Sequence, residues 1–351
     1  MSTKQNITNY PFYTNPWTLL IDCENIRYGV VNASQRLCIL STIDGILCAY
    51  ILPIITICNF ILNGITVIIF LYAYPRKTRQ IIYLGFLSIS DIINCISVSV
   101  ISLLPSKGLP YATNGQIYFI PTASTIEICK FFKTITGFAP CFKTNMLITT
   151  MLDRVFSIFT PIKYGKLSAK YAWFCVLITF LVSLALTMPM PIYSEFVERI
   201  GTLICWPTGD MRAWGMYSVF VLESCLLQLL INAFLSLVLL GKVYFWIRQR
   251  RLIVNQNGDE GTAQLSACAI LLSVSCIIFV LTIPTGLSFC VPQSLQYEET
   301  RIFESIRDIF MVIGQLQVLF TTTVYWFRME TYRRLFICIL KCKDYRKELK
   351  S

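Results

Sequence analysis

The stretch ILCAYILPIITICNFILNGITVIIFLYA, residues 46–73, contains no charged side chain and is long enough to cross a lipid bilayer as one helix. A bilayer core of about 30 Å needs about 20 consecutive apolar residues in helical conformation. Comparable runs recur along the 351-residue chain, which is 55% hydrophobic and 14% charged, with a mean hydropathy of +0.63. The sequence therefore predicts a membrane protein built mainly of spanning helices.

Seven spans are predicted, and short polar links join them. Their ranges are 46–73, 81–104, 127–158, 171–193, 214–246, 264–290 and 303–327. Residues 1–45 then form an N-terminal tail, residues 46–327 the membrane domain and residues 328–351 a C-terminal tail. The predicted fold class is an all-α membrane protein, a seven-transmembrane helix bundle.

The basic residues predict how the chain is oriented. Most of the 30 Lys and Arg residues lie in the first, third and fifth links and in the C-terminal tail, which the positive-inside rule places in the cytoplasm. The N-terminal tail is then extracellular, and it carries two Asn-x-Ser/Thr glycosylation sequons, at Asn6 and Asn32. We expect a multi-pass protein of the plasma membrane. Its net charge of +11 reflects topology, so no nucleic-acid partner is expected.

Several function classes are excluded by what the sequence lacks. The chain has no His, which removes Ser-His-Asp and Cys-His catalytic pairs and the His-based zinc sites. No GxGxxG after a strand and no GxxxxGK[ST] is present. An enzyme is therefore not expected, and no cofactor or metal is predicted. A receptor, a transporter or a channel remains, but the internal repeats and charged paths of the last two are not evident.

An Asp-Arg pair, Asp153–Arg154, lies at the end of the third span, and Pro161 follows seven residues after the Arg. Cys129 lies 25 residues before Arg154, and Tyr325 lies at the end of the seventh span. In these features the chain resembles the rhodopsin-like (class A) G-protein-coupled receptors over roughly residues 46–345. It looks most like their divergent invertebrate orphan and chemosensory members, as in flatworms or nematodes.

The resemblance implies an extracellular peptide or small-molecule ligand and a heterotrimeric G protein as partners. It also implies a cytoplasmic switch, a disulfide over the bundle mouth and an Asn that packs helix one. The switch residues are Asp153, Arg154, Pro161, Pro284 and Tyr325; the disulfide joins Cys129 to Cys205; the packing residue is Asn63.

After the seventh span the resemblance implies a short amphipathic eighth helix along the membrane surface. Its apolar side is predicted to consist of Tyr325, Phe327, Tyr332 and Phe336. Cys338 and Cys342 follow at a spacing suited to S-palmitoylation.

The chain departs from the family pattern at several switch positions. Thr321 and Thr322 stand where the family keeps Asn and Pro, and Thr282 stands where it keeps a switch Trp. Two alternatives therefore remain beside a coupled receptor. One is a seven-helix decoy or structural protein that has lost coupling, and the other, less favoured, is a transporter or channel.

The most informative departure is Lys143, eleven residues before Arg154 and so about three helical turns along roughly the same face. In the family a small polar residue at this position binds sodium together with a helix-two Asp, which here is Asp91. An unpaired charge at membrane depth is costly. We therefore hypothesise an Asp91–Lys143 ion pair that substitutes for bound sodium. The alternative is a Lys143 that reaches water.

Candidate ligand contacts are Thr136, Glu223, Thr282, Glu304 and Asp308. Thr136 stands where amine receptors keep an Asp, which disfavours a biogenic amine. Glu223 could meet a cationic ligand group or could face other helices. Glu304 and Asp308 share one helix face with Arg307, which either lines a polar mouth or is a solvated helix end.

Overall fold

The computed structural model describes residues 17–30, 33–75, 77–119, 125–160, 164, 167–199, 202–207, 217, 221–222, 225–252, 259–289 and 297–341. A short helix, α1 (Thr18–Arg27), comes first. The bundle is then formed by α2 (Gln35–Ala73), α3 (Arg79–Ala112), α4 (Ile126–Phe159), α5 (Ala169–Tyr193), α6 (Leu226–Leu252), α7 (Asp259–Phe289), α8 (Tyr297–Gly314) and α9 (Gln317–Arg328), and α10 (Glu330–Leu340) follows. The prediction of an all-α membrane bundle is confirmed.

Six stretches of the described chain are long and apolar enough to cross a membrane. They are Gln35–Ala73, Arg79–Ala112, Ala169–Tyr193, Leu226–Phe245, Cys268–Ser288 and Arg301–Arg328. The remaining predicted span, 127–158, corresponds to α4, which has 34 residues but carries Lys143 and Asp153 along its length. Because α4 contacts α3, α5 and α6, these polar side chains face other helices rather than lipid.

The outer face of the bundle is apolar, as a lipid environment requires. On α6, for example, Phe234 is 65% exposed and Leu237 is 67% exposed. A soluble protein would rarely leave a contiguous apolar surface of this kind uncovered. The main core includes buried residues of α3, α4, α7 and α9, among them Leu84, Met146, Leu271 and Tyr325.

The N-terminal region is more structured than a simple tail. Helix α2 begins at Gln35 rather than at residue 46, and α1 packs against it. A disulfide between Cys23 and Cys38 joins the two helices. This bond was not predicted from the sequence, although both cysteines lie outside the predicted spans.

The link after α5 also contains secondary structure. It forms an antiparallel hairpin of β1 (Ser194–Arg199) and β2 (Thr202–Pro207), in which Cys205 pairs with Phe196 in the strand register. Cys205 is bonded to Cys129 near the start of α4, so the expected disulfide is present. The hairpin is therefore fixed over one end of the bundle.

The seventh span is divided by a turn at residues 315–316, and α10 begins only at Glu330. Tyr325 and Phe327 therefore belong to α9, and the expectation that they line the eighth helix is wrong. Phe327 is 75% exposed at the end of α9. Tyr332 and Phe336 do lie on the buried side of α10.

Cys338 lies on the same buried side of α10 and is 3% exposed. In this packing its thiol is not accessible to an acyltransferase, so palmitoylation at this position is not supported. Cys342 lies outside the described residues.

Helices α2 and α3 approach each other closely at a glycine. A Cβ added at Gly108 would lie 2.5 Å from the Cys48 carbonyl oxygen, which is backbone and cannot rotate away. By contrast, a Cβ added at Gly64 on α2 would meet no atom within 4 Å. The absence of a side chain at Gly108 is therefore required for the close packing of the two helices, whereas at Gly64 it is not.

We predict that Gly108→Ala destabilises the protein by about 1–3 kcal/mol, because overpacking forces one helix away from the other. Thermal unfolding of the purified protein in detergent measures this change. Gly64→Ala is the matched control and should leave the melting temperature unchanged or raise it, because Ala favours helix over Gly. Equal behaviour of the two variants would contradict the close approach.

Candidate functional site

Polar and charged side chains are concentrated at three levels of the bundle. One level is at the end where α4 finishes, which we call the Asp153 end. A second lies in the middle, around Asp91. The third lies at the opposite end, near the start of α4, which we call the Cys129 end.

At the Asp153 end, one buried carboxylate binds several partners. The Asp153 side chain is 1% exposed and forms an ion pair with its neighbour Arg154. Its Oδ1 atom lies 3.2 Å from Nε of Arg79, at the start of α3. The Tyr164 hydroxyl donates a hydrogen bond of 3.2 Å to the same oxygen. Asp153 therefore joins α3, α4 and the link that follows α4.

Arg79 also fixes that link directly. Its Nη1 atom donates to the carbonyl oxygens of Tyr164, at 2.8 Å, and of Leu167, at 2.9 Å. Its guanidinium carbon lies 4.5 Å from the centre of the Tyr164 ring, in cation–π geometry. Burial and the nearby Asp153 carboxylate raise the pKa of the Tyr164 phenol, so it stays protonated and remains a donor.

Sequence reasoning missed Arg79 and Tyr164 as members of this site. Arg79 is one of the basic residues near the first link, and no motif in the sequence singles out Tyr164. Their positions in the sequence could have indicated this role. Arg79 begins α3 and Tyr164 follows the end of α4, so both lie at the same end of the bundle as the Asp-Arg pair. Pro161 lies outside the described residues.

In the middle of the bundle the structure brings Asp91 and Lys143 together. Lys143 Nζ lies 3.0 Å from Asp91 Oδ1, and each side chain is 9% exposed. Gln317, at the start of α9, donates a hydrogen bond of 3.3 Å to the same oxygen. The pair therefore links α3, α4 and α9.

Two other residues assigned by resemblance lie close to this level but make separate contacts. Asn63 donates to Oδ1 of Asn59 one turn earlier on α2, at 2.8 Å. Tyr325 packs its ring 5.3 Å from that of Phe70 and 5.6 Å from that of Tyr332. The Tyr332 hydroxyl is hydrogen-bonded to the Thr66 hydroxyl at 2.9 Å, which joins α10 to α2.

At the Cys129 end, charged side chains of α8 are buried. Arg301 is 2% exposed and lies 3.0 Å from Oδ2 of Asp22 on α1 and 3.6 Å from Oε2 of Glu304. Asp308 lies 3.8 Å from Nζ of Lys107 on α3. The predicted ligand candidates Glu304 and Asp308 are therefore both engaged by basic residues of the protein itself.

The threonine candidates are also satisfied locally. The Thr136 hydroxyl donates to the Phe132 carbonyl oxygen at 2.9 Å, and the Thr282 hydroxyl donates to the Ile278 carbonyl oxygen. Pro284 lies inside α7, two residues after Thr282. Glu223, Asn6 and Asn32 lie outside the described residues.

Among the described residues, no three His, Cys, Asp or Glu side chains come together as a metal site. The charged groups instead pair with one another. The arrangement suits binding and conformational switching, in which ion pairs exchange partners.

A family model described as "7 transmembrane receptor (rhodopsin family)" matches residues 62–322 of the chain. The match begins within α2 and ends within α9. It therefore includes the central ion pair and the group of Asp153, Arg154, Arg79 and Tyr164, which we call the Asp153 cluster. No curated protein matches the chain.

We predict that Asp91→Asn lowers stability by about 3–5 kcal/mol, because it leaves Lys143 buried without a counter-charge. The double variant Asp91→Asn/Lys143→Met should recover most of this loss, because it removes the stranded charge. Thermal unfolding of the purified protein in detergent measures both.

Ser90→Ala is the control for a change next to Asp91, because the Ser90 hydroxyl donates to the Leu87 carbonyl oxygen of its own helix. It should cost about 1 kcal/mol at most. An Asp91→Asn protein as stable as the wild type would contradict the pairing.

Proposed function

This chain belongs to the rhodopsin family of seven-transmembrane receptors, and from that premise we propose that it transmits an extracellular signal to a heterotrimeric G protein. We propose that the Cys129 end faces the outside of the cell and binds a peptide or small molecule. The Asp153 end then faces the cytoplasm, in agreement with the distribution of Lys and Arg. The observation that carries this proposal is the Asp153 cluster.

The Asp153 cluster is suited to releasing Arg154. A buried carboxylate that loses its only cation is strongly destabilised. Asp153, however, has Arg79 and Tyr164 as additional partners, at 3.2 Å each. When Arg154 leaves, Asp153 therefore keeps both a cation and a hydrogen-bond donor. Arg154 can then contact a G protein at moderate cost.

The described structure corresponds in this proposal to the resting state, in which Arg154 is held by Asp153. A ligand that binds the other packing of the helices more tightly would shift the population toward it. Movement of α7 away from α4 would open the cleft in which the G protein binds.

One buried carboxylate at the Cys129 end, that of Asp44, favours a ligand with a basic group. The described residues at this end include nine buried or half-buried charged side chains, four acids and five bases: Asp22, Asp44, Glu304, Asp308, Lys107, Lys130, Lys133, Arg301 and Arg307. Asp44 is 0% exposed, and its Oδ2 atom has no hydrogen-bond partner in the described part of the chain. A basic peptide would supply the missing positive charge. The absence of an acid at Thr136 argues against a simple biogenic amine.

The second candidate function is a receptor-like protein that no longer couples. The Thr282 hydroxyl donates to its own helix, and the Thr321 hydroxyl donates to the Val318 carbonyl oxygen of its own helix. Neither contact joins two helices, which favours a protein in which these positions do not act as switch residues. The experiment below separates the two functions.

We predict that the wild type gives basal second-messenger output in cells and that Arg154→Ala reduces it to background. Arg79→Ala should lower basal output several-fold, because Asp153 would then have no cation left when Arg154 is released. Surface level is measured in parallel through an N-terminal tag.

Lys341→Ala is the matched control, since it removes one exposed basic side chain near the end of α10 and should leave output unchanged. If wild type and all variants are silent at the surface with every G-protein class, the decoy function is favoured instead.

We further predict that output of the wild type does not respond when NaCl replaces an isotonic organic salt. Lys143 already occupies the position of the cation beside Asp91. Lys143→Ser should create a sodium-dependent receptor whose output falls as NaCl rises. A marked effect of sodium on the wild type would contradict the substitution of Lys143 for sodium.

A further inference from the structure

Helix α1 lies at the Cys129 end and is attached to three parts of the bundle. The Cys23–Cys38 disulfide joins it to the start of α2. Trp17 packs directly on Gly115 in the turn after α3, where an added Cβ would lie 2.1 Å from Trp17 Nε1. The third attachment is the ion pair of Asp22 with Arg301 on α8. Residues 17–30 therefore form part of the receptor domain.

The Asp22–Arg301 contact is buried and has further support. The two side chains are 4% and 2% exposed, and Arg301 Nη2 donates to Asp22 Oδ2 at 3.0 Å. The Ser41 hydroxyl on α2 donates to the same oxygen. Charge-assisted hydrogen bonds in a buried setting are among the stronger non-covalent contacts in proteins. This one joins residues that are 279 positions apart in the chain.

The contact can open without stranding the Arg301 guanidinium. Its Nη1 atom lies 3.6 Å from Glu304 Oε2, one turn along the same helix. If α1 moves away, Arg301 keeps this counter-charge, and Asp22 reaches water on the surface. Opening therefore breaks one ion pair but leaves no buried charge without a counter-charge.

Helix α8 connects this contact to the centre of the bundle. It runs without a break from Arg301 to Gly314, and after a two-residue turn α9 begins at Gln317. Gln317 donates directly to Asp91, the partner of Lys143. Helix α8, the turn at residues 315–316 and Gln317 therefore form a continuous path from Arg301 to the central ion pair.

We propose that α1 is an N-terminal latch: the Asp22–Arg301 ion pair holds α8 in its resting position, and opening this contact is a step in activation. The effect on signalling rests on the proposed function, but the closed latch itself does not. A ligand with a basic group would open the latch by competing with Arg301 for Asp22 and Glu304.

The latch is tested first by hydrogen–deuterium exchange on the purified full-length protein in lipid nanodiscs, without ligand. Asp22→Asn keeps the shape of the side chain and removes its charge. We expect amide exchange in α1 to rise about tenfold or more, with a smaller rise in residues 301–314. Glu24→Gln is the matched control, because it removes an exposed carboxylate from the same helix and should change neither.

The second readout is basal second-messenger output at equal surface level, which Asp22→Asn should raise several-fold and Glu24→Gln should leave unchanged. Cys23→Ser/Cys38→Ser opens another attachment of α1 and should act in the same direction, so the test does not depend on the folding of one variant. Unchanged exchange in α1 and α8 for Asp22→Asn would overturn the latch. Faster exchange in α1 alone, with unchanged α8 and unchanged output, would overturn its link to activation.

The two proposals fail in different ways. If Asp22→Asn accelerates exchange in both α1 and α8 while no variant, including the wild type, gives output with any G-protein class, the latch is supported and the signalling function is contradicted. If Arg154→Ala abolishes output and Asp22→Asn changes neither exchange nor output, the signalling function is supported and the latch is contradicted.

Discussion

A charge buried inside a membrane bundle needs a partner of opposite sign, and this requirement organises the structure. An unpaired ion costs several kcal/mol at membrane depth, so each ion pair between two helices constrains where those helices lie. Asp22 with Arg301 joins α1 to α8, Asp91 with Lys143 joins α3 to α4, and Asp153 with Arg79 joins the opposite ends of α3 and α4. The three pairs together fix the relation of four helices.

The pairs differ in how easily they can exchange partners. Asp153 and Arg301 each have a second opposite charge within 4 Å, so each can release one partner and keep another. Among the described residues, Asp91 has one cation as a partner, Lys143, supplemented by the neutral amide of Gln317. The two ends of the bundle are therefore suited to switching, and the centre is suited to holding the helices together. A signal that passes between the ends must move helices around a fixed central pair.

Sequence reasoning succeeded where one physical rule acts locally. Apolar run length predicted the spans, and the resemblance to rhodopsin-like receptors, together with the cost of an unpaired charge at membrane depth, predicted that Lys143 pairs with Asp91. It failed for contacts that the fold brings together from distant parts of the chain. Nothing in the local sequence pairs Asp22 with Arg301, 279 positions away, or Arg79 with Asp153. The start of α2 at Gln35 was missed for a related reason, since its polar first turns are stabilised by α1 and α8 rather than by lipid.

The weakest hydrophobic signal in the bundle has a physical explanation. Helix α4, predicted as the span 127–158, is not among the six described stretches that are apolar enough on composition alone to cross a membrane, although it has 34 residues. It contacts α3, α5, α6 and α7, and it carries Lys143, Asp153 and Arg154. A helix surrounded by other helices does not need an apolar surface, because its neighbours rather than lipid solvate its side chains. The same position makes its polar residues the ones best placed to connect the two ends of the receptor. The low hydropathy of α4 therefore follows from its position, because a helix packed among other helices can carry the charges that connect the two ends.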